Sequence, residues 1–218
     1  MAGTAIIDSY TALKNALEDH ANRSDIDDEG VSAMAIDLAE ARFNRIVTHP
    51  ARITRDDSFT VDSQYETVPT DFWRVMRFSL NTSPSQALEY LSPEEMAQKR
   101  QTLGASGRPI YYSVIGGNFE FLPTPGSSYT GLLVYQAAIP ALASNATNWL
   151  LDDHPDIYLY AALAEVHSWA QDEEQAMIWD ARLQRALKEI EVQGSREQHG
   201  GTPVARAKPF GRAYTRGL

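Results

Sequence analysis

The string Asp152-Asp153-His154-Pro155-Asp156 gathers three carboxylates and an imidazole within five positions. Carboxylates suit hard cations and imidazole suits zinc, so a divalent metal is the first chemistry to weigh. No second histidine stands at a helical i, i+4 spacing from His154. The alternative is that Pro155 opens a helix with Asp153 or His154 as its cap. The carboxylates then face the positive end of the helix dipole. That reading is preferred. His167 lies beside Trp169 in an apolar run. An acid–base role would need a nucleophile or carboxylate partner, so a core or interface histidine is expected. His20 and His49 fall at expected helix ends, where a cation is favoured. Glu94-Glu95 and Asp172-Glu173-Glu174 are first-turn positions, which helix-start chemistry explains.

Other catalytic signatures are missing. No Gly-Lys-Ser/Thr phosphate loop occurs, Gly104-Ala-Ser-Gly107 lacks dinucleotide spacing, and there is no Gly-x-Ser-x-Gly elbow. The chain has no cysteine, which excludes disulfides, thiolate metal sites and a cysteine nucleophile. The expectation is a protein without enzyme activity, cofactor or metal. Tyr111, Tyr112, Phe119, Phe121, Tyr129 and Tyr135 would suit base stacking only with interleaved Lys and Arg. Arg108 alone flanks them, so core or interface packing is expected.

The elements that must position these residues follow from periodicity. Ile6, Ile7, Tyr10, Leu13, Ala16 and Leu17 give one face of a helix over about 4–20. Residues 22–30 read as a polar loop. A second helix covers about 31–48, with Met34, Leu38, Phe43, Ile46 and Val47 among its apolar residues, and His49-Pro50 ends it. A β-module over about 58–138 comes next. It has alternation at Phe59, Val61, Tyr65 and Thr67, a turn at 68–71 and a strand-or-helix ambiguity at 72–80. A short strand at 87–91 and strands at 109–115, 118–122 and 130–138 complete it. Gly116-Gly117 supplies the positive φ of a tight hairpin. Ser92-Pro93-Glu94-Glu95 is a capping box opening a helix over about 93–101. Residues 140–148 form a loop. A helix apolar nearly all round covers 155–170. Another covers 172–193, capped by Asp172, with a stripe of Ala176, Trp179, Leu183, Leu187 and Ile190, and Gly194 closing it. The expected class is α+β: a helical bundle from both ends of the chain, an inserted small antiparallel β-module, and an extended tail over 195–218.

The chain has 218 residues, 43% of them hydrophobic, enough for a packed core. No apolar run reaches the roughly 20 residues of a membrane span, and the first residues lack a signal-peptide pattern. Net charge is −10, unevenly placed. Arg196, Arg206, Lys208, Arg212 and Arg216 outweigh Glu197 in residues 195–218, a balance of +4 that leaves −14 on residues 1–194. An acidic body disfavours DNA wrapping, while a basic tail suits an acidic protein surface.

Five stretches, in this order, resemble the head-to-tail adaptors of tailed bacteriophages and gene transfer agents. They are Val68-Pro69-Thr70-Asp71-Phe72, Leu88 to Glu95, Arg108-Pro109-Ile110-Tyr111-Tyr112, Leu122-Pro123-Thr124-Pro125, and Asn148-Trp149-Leu150-Leu151 with His154-Pro155-Asp156. The resemblance implies a structural virion protein, assembled in the host cytoplasm, with residues 1–194 as the adaptor domain. It implies a ring, commonly of twelve copies, below the portal in the neck. There it would carry a stopper or tail-side protein and line the channel through which double-stranded DNA passes unbound. It also implies portal docking by the C-terminal segment, here through Arg196, Arg206, Lys208, Phe210, Arg212, Tyr214 and Arg216. The alternative is a phage assembly factor or host-interaction protein absent from the particle.

Overall fold

A computed structural model describes residues 7–198, and the chain within those bounds is α+β. Helix α1 (Tyr10–Ala21) starts where the Ser9 hydroxyl accepts from the Ala12 amide at 3.2 Å. A four-residue helix, α2 (Asp25–Asp28), precedes α3 (Val31–Ile46). Near the other end of the chain come α5 (Trp149–Asp153), α6 (Pro155–Trp169) and α7 (Glu173–Gln198). Helix α6 is apolar on every side, and it packs against α1, α3, α5 and α7. Leu13 and Leu17 of α1, Phe43 of α3 and Leu183 of α7 are fully buried around it. Burial of a leucine of this kind contributes roughly 1.5–3 kcal/mol. The α3 side facing this core is Val31, Ala35, Ile36, Ala39 and Phe43, whereas Met34, Leu38 and Ile46 point to solvent.

Between the helices lies a two-sheet β-module. Strands β1 (Ile53–Val61), β2 (Tyr65–Thr67), β3 (Phe72–Leu80), β4 (Gln86–Ala87) and β5 (Glu89–Tyr90) precede helix α4 (Pro93–Arg100). After it come β6 (Ser106–Gly107), β7 (Tyr111–Ile115), β8 (Asn118–Leu122), β9 (Thr124–Pro125) and β10 (Tyr129–Ala137). One sheet runs β1-β10-β3-β4, the other β2-β8-β7-β5, and β6 pairs with β9. Their facing side chains form a second core containing Phe78, Tyr112, Phe119, Phe121, Leu133 and Tyr135. The Phe78 and Phe119 rings meet edge to face at 5.1 Å. Gly131 permits this packing, because a Cβ there would stand 2.8 Å from the Phe78 ring. Helix α4 covers the outer face of the second sheet with Met96, and Arg100 reaches the buried Glu120 carboxylate at 2.6 Å.

Four polar side chains tie the helices to this module. Arg52, 2% exposed, follows α3 in a 3₁₀ turn (Pro50–Arg52). It donates to the carbonyls of Asn44 (3.2 Å) and Val47 (2.7 Å) at the end of α3, to that of Ala137 (2.9 Å) at the end of β10, and to Asn44 Oδ1 (3.2 Å). Asn44 Oδ1 also accepts from the Ile139 amide at 2.8 Å. One turn earlier, Glu40 accepts from the Leu142 amide at 2.8 Å and from the Tyr158 hydroxyl at 3.4 Å. Burial raises the Glu40 pKa above the usual carboxylate value, with the Leu142 hydrogen bond pulling the other way. Asn148, the cap of α5, donates to the Pro140 carbonyl and the Tyr158 hydroxyl, both at 2.7 Å. The 138–148 loop is thus held by its backbone, which its sequence does not advertise.

Several expectations need correction. The first helix begins at Tyr10 rather than near residue 4, with residues 1–6 outside the described range, and the 22–30 loop holds α2. The β-module starts at Ile53, in a stretch too polar for its alternation to stand out. Residues 72–80 form a strand. The expected strand at 87–91 divides at Leu88: β4 pairs with β3, and β5 pairs with β7 of the other sheet. That crossing makes the β5–β7 pair parallel, as is β6–β9, so the module is not wholly antiparallel. Helix α7 runs through Gly194 to Gln198, so residues 195–198 are helical rather than extended.

Two outcomes test this junction. Arg52→Ala leaves three carbonyls without this donor, each unmade bond costing about 1–3 kcal/mol, so unfolding free energy from urea titration should fall by about 3–5 kcal/mol. Arg52→Leu of similar volume should lose a comparable amount if the hydrogen bonds matter more than the packing. Glu40→Gln tests the buried acid. Because its folded pKa is raised, its contribution is complete below the ordinary carboxylate pKa and is lost as pH rises through the folded value. Melting curves should place Glu40→Gln below or level with wild type at acid pH and level or above it at pH 7.5.

Candidate docking site at the end of the long helix

The proposed docking residues begin where α7 ends. Its first turn is capped by Asp172, whose Oδ1 accepts from the Gln175 amide at 3.2 Å. Its apolar stripe lies on α6: Ala176, Leu183 and Ile190 are buried, and Trp179 and Leu187 pack partly against the same core. The stripe brings the last turns onto the 3₁₀ turn that carries Arg52. A Cβ at Gly194 would stand 2.8 Å from the His49 ring and 3.1 Å from the Pro50 ring. Glycine is therefore present for a close approach, and its helical neighbours carry the helix onward. As a sequence signal alone, a glycine at this place reads as a helix stop.

His49 sits in the angle this contact makes. Its ring stacks on Trp149 at 5.1 Å, and His154 meets it edge-on at 6.5 Å. Nδ1 accepts from the Ala51 amide at 3.2 Å, so the neutral ring carries its proton on Nε2. Nε2 is buried and has no hydrogen bond among the described residues, where the closest carboxylate oxygen, on Glu197, is 3.6 Å away. Burial pushes the imidazole below its usual pKa, while Glu197 and Asp153 pull upward. The expectation of a favoured cation at this helix end is corrected: burial disfavours the charged form of His49, whose ring packs against Trp149 and Gly194. A groove of about 520 Å³ runs beside it between α3 and α7, lined among others by Arg42, Ile46, Leu187 and Ile190.

Arg196 stands exposed on the last turns of α7. Arg206, Lys208, Phe210, Arg212, Tyr214 and Arg216 lie outside the described residues. The remaining chemistry candidates are dispersed. His154 occupies the cap position of α6 without a side-chain cap bond, and Asn148 does the capping one short helix earlier. Asp152 accepts from the Thr147 hydroxyl. His167 is at the far end of α6, roughly 20 Å from His154 at 1.5 Å per residue. Its Nδ1 lies 3.7 Å from Asp172 Oδ2, and the two histidines cannot share a reacting atom. Among the described residues no group of three or more His, Asp or Glu is placed to hold a metal ion. The strand aromatics Tyr112, Phe119, Phe121 and Tyr135 are buried in the β-module core. Tyr135 donates to Asp71 at 2.8 Å, and burial together with that bond raises its pKa to about 12.

The family model described as SU10 adaptor protein matches residues 8–207. No curated protein matches the chain.

Gly194→Ala separates the two roles of that glycine. In an open helix the change would gain about 1 kcal/mol. Here the new Cβ overpacks against His49 and Pro50, which typically costs about 1–3 kcal/mol. The expected result is a lower melting temperature, relieved when His49→Ala is added. A rise in melting temperature would return Gly194 to the role of a plain helix breaker.

Proposed function

The chain belongs to the SU10 adaptor protein family, a phage head-to-tail adaptor family, and on that premise we propose that it forms a ring beneath the portal and joins it to the tail-side neck proteins. The observation that carries this reading is the family match along nearly the whole chain. The work of such a part is mechanical: bind a neighbour on each side, bind the portal above and a stopper below, and leave the DNA free to pass. The acidic body supports the last requirement, since phosphate retention needs clustered Lys and Arg on the facing surface. Twelve copies is the number taken from the resemblance, and the virion neck is the place of action. No enzymatic step is assigned to any residue.

Portal docking is given to Arg196 and, beyond it, Arg206, Lys208, Phe210, Arg212, Tyr214 and Arg216. Support comes from charge: this segment is basic while the body is acidic. It comes also from position, because α7 is seated on His49 and Pro50 by Gly194, so the basic segment leaves from a fixed point at the β-module end.

The test is the mass of the complex formed on co-expression with the portal protein of the same phage. The full chain should give a ring-sized complex, and a variant ending at Gln198, which keeps Glu197 and the His49 contact, should lose it. Retention in the variant would move docking to the body. No complex with either, together with absence from purified particles, would favour a non-virion assembly factor.

A further inference from the structure

Two exposed patches on this chain combine large apolar side chains with opposite charges. The first is on β3. Trp73 and Met76 are 47% and 50% exposed there, beside exposed Arg74 and Arg77. Across the strands, Arg77 pairs in register with Val134 and Arg74 with Gln136. Residues 134 and 136 point to one face of β10, the face away from the β-module core. Neither arginine has a carboxylate partner among the described residues, whereas nearby Arg55 is paired with Asp57. Arg74 also adds to the positive potential at the buried Arg52, lowering its pKa behind the larger effect of burial. The second patch is on the first two turns of α7. Met177 and Ile178 are 67% and 41% exposed there, one turn after the exposed Glu173 and Glu174. Those two carboxylates also have no ion-pair partner among the described residues.

Exposed large apolar residues rimmed by unpaired charge are the signature of a contact surface. The two patches cannot meet within one copy. Met177 is near the start of α7 and Gly194 near its end, a separation of roughly 25 Å at 1.5 Å per residue. The Gly194 end is the one beside Arg52, over whose guanidinium Trp73 lies at 5.8 Å. Among the described residues neither patch has an occupant, and each carries what the other lacks. Unlike, complementary patches at two places on one subunit generate heterologous contacts, which close into a ring when the rotation allows.

We propose that the β3 patch (Trp73, Arg74, Met76, Arg77) of one copy receives the α7 patch (Glu173, Glu174, Met177, Ile178) of the next copy. The inference rests on the ring reading above and names the surfaces that build the ring. The four side chains on each side provide apolar area for stability, and the charges set direction and register and exclude the like-to-like pairing.

Charge reversal in a mixing design tests it. The full chain is prepared as wild type, as Arg74→Glu/Arg77→Glu and as Glu173→Lys/Glu174→Lys, all at exposed positions, with melting curves to verify folding. Copy–copy association is followed by analytical ultracentrifugation at low salt and by native mass of the complex with the portal protein. Each variant alone should lose the higher species or need about tenfold more protein to form it, since like charges then face each other. An equimolar mixture should recover assembly, because alternating copies restore an opposite-charge pair at every contact. Wild-type-like assembly of both variants overturns these surfaces and leaves the ring reading standing. So does failure of the mixture when each variant is defective. A wild-type chain that never associates, alone or on the portal, removes the ring reading and this inference together.

Discussion

A buried guanidinium with no carboxylate partner among the described residues is the hinge of the structure. Arg52 exchanges water for carbonyl oxygens from the end of α3 and the end of β10, with the ring of Trp73 lying 5.8 Å above. Two of those carbonyls belong to the terminus of a helix, where the last C=O groups lack internal partners and the dipole is negative. The cation therefore meets both needs at once: it satisfies orphan acceptors and neutralises the helix end. Its third partner, the Ala137 carbonyl, fixes the sheet to the same point. A lysine could offer charge but not the planar fork that reaches three directions. With this junction made, the positions of the 138–148 loop, α5 and α6 follow through Asn44, Glu40 and Asn148.

The same corner seats the last described turns of α7. Pro50 and His49, which prepare the turn carrying Arg52, form the surface against which Gly194 packs. The helix layer, the β-module and the start of the basic segment are therefore connected through one small region. In the proposed ring such rigidity has a use: if neighbours attach at β3 and at the start of α7, the angle between copies depends on how firmly α7 is held against the sheet.

Much of the fold was legible. The α6 run from Pro155 is apolar all round, and a helix of that kind is buried. Asp172 with Gln175, and Ser92 with Glu95, announced the starts of α7 and α4 through capping chemistry. Gly116-Gly117 announced the hairpin through its positive φ. The site was less legible. The residues proposed for docking stand out by composition, but composition does not say what surface they meet. Met34, Leu38, Met177 and Ile178 look like ordinary apolar residues in sequence and are exposed in the fold. Gly194 reads locally as a helix stop, whereas in the fold a distant ring, on His49, requires it.

Sequence by itself determined the class of the protein. Hydrophobic periodicity, caps and turn residues are local, and they set which segments are helix and which are strand. The absence of cysteine and of any assembled catalytic motif is equally a property of the string. Tertiary structure alone decided what long-range contacts decide. It split 87–91 between two sheets and gave Arg52, Glu40 and Asn44 their buried acceptors and donors. It carried α7 past its glycine, and it turned some apolar residues outward. Those outcomes depend on which carbonyl or ring arrives from tens of residues away, and no local preference encodes that arrival.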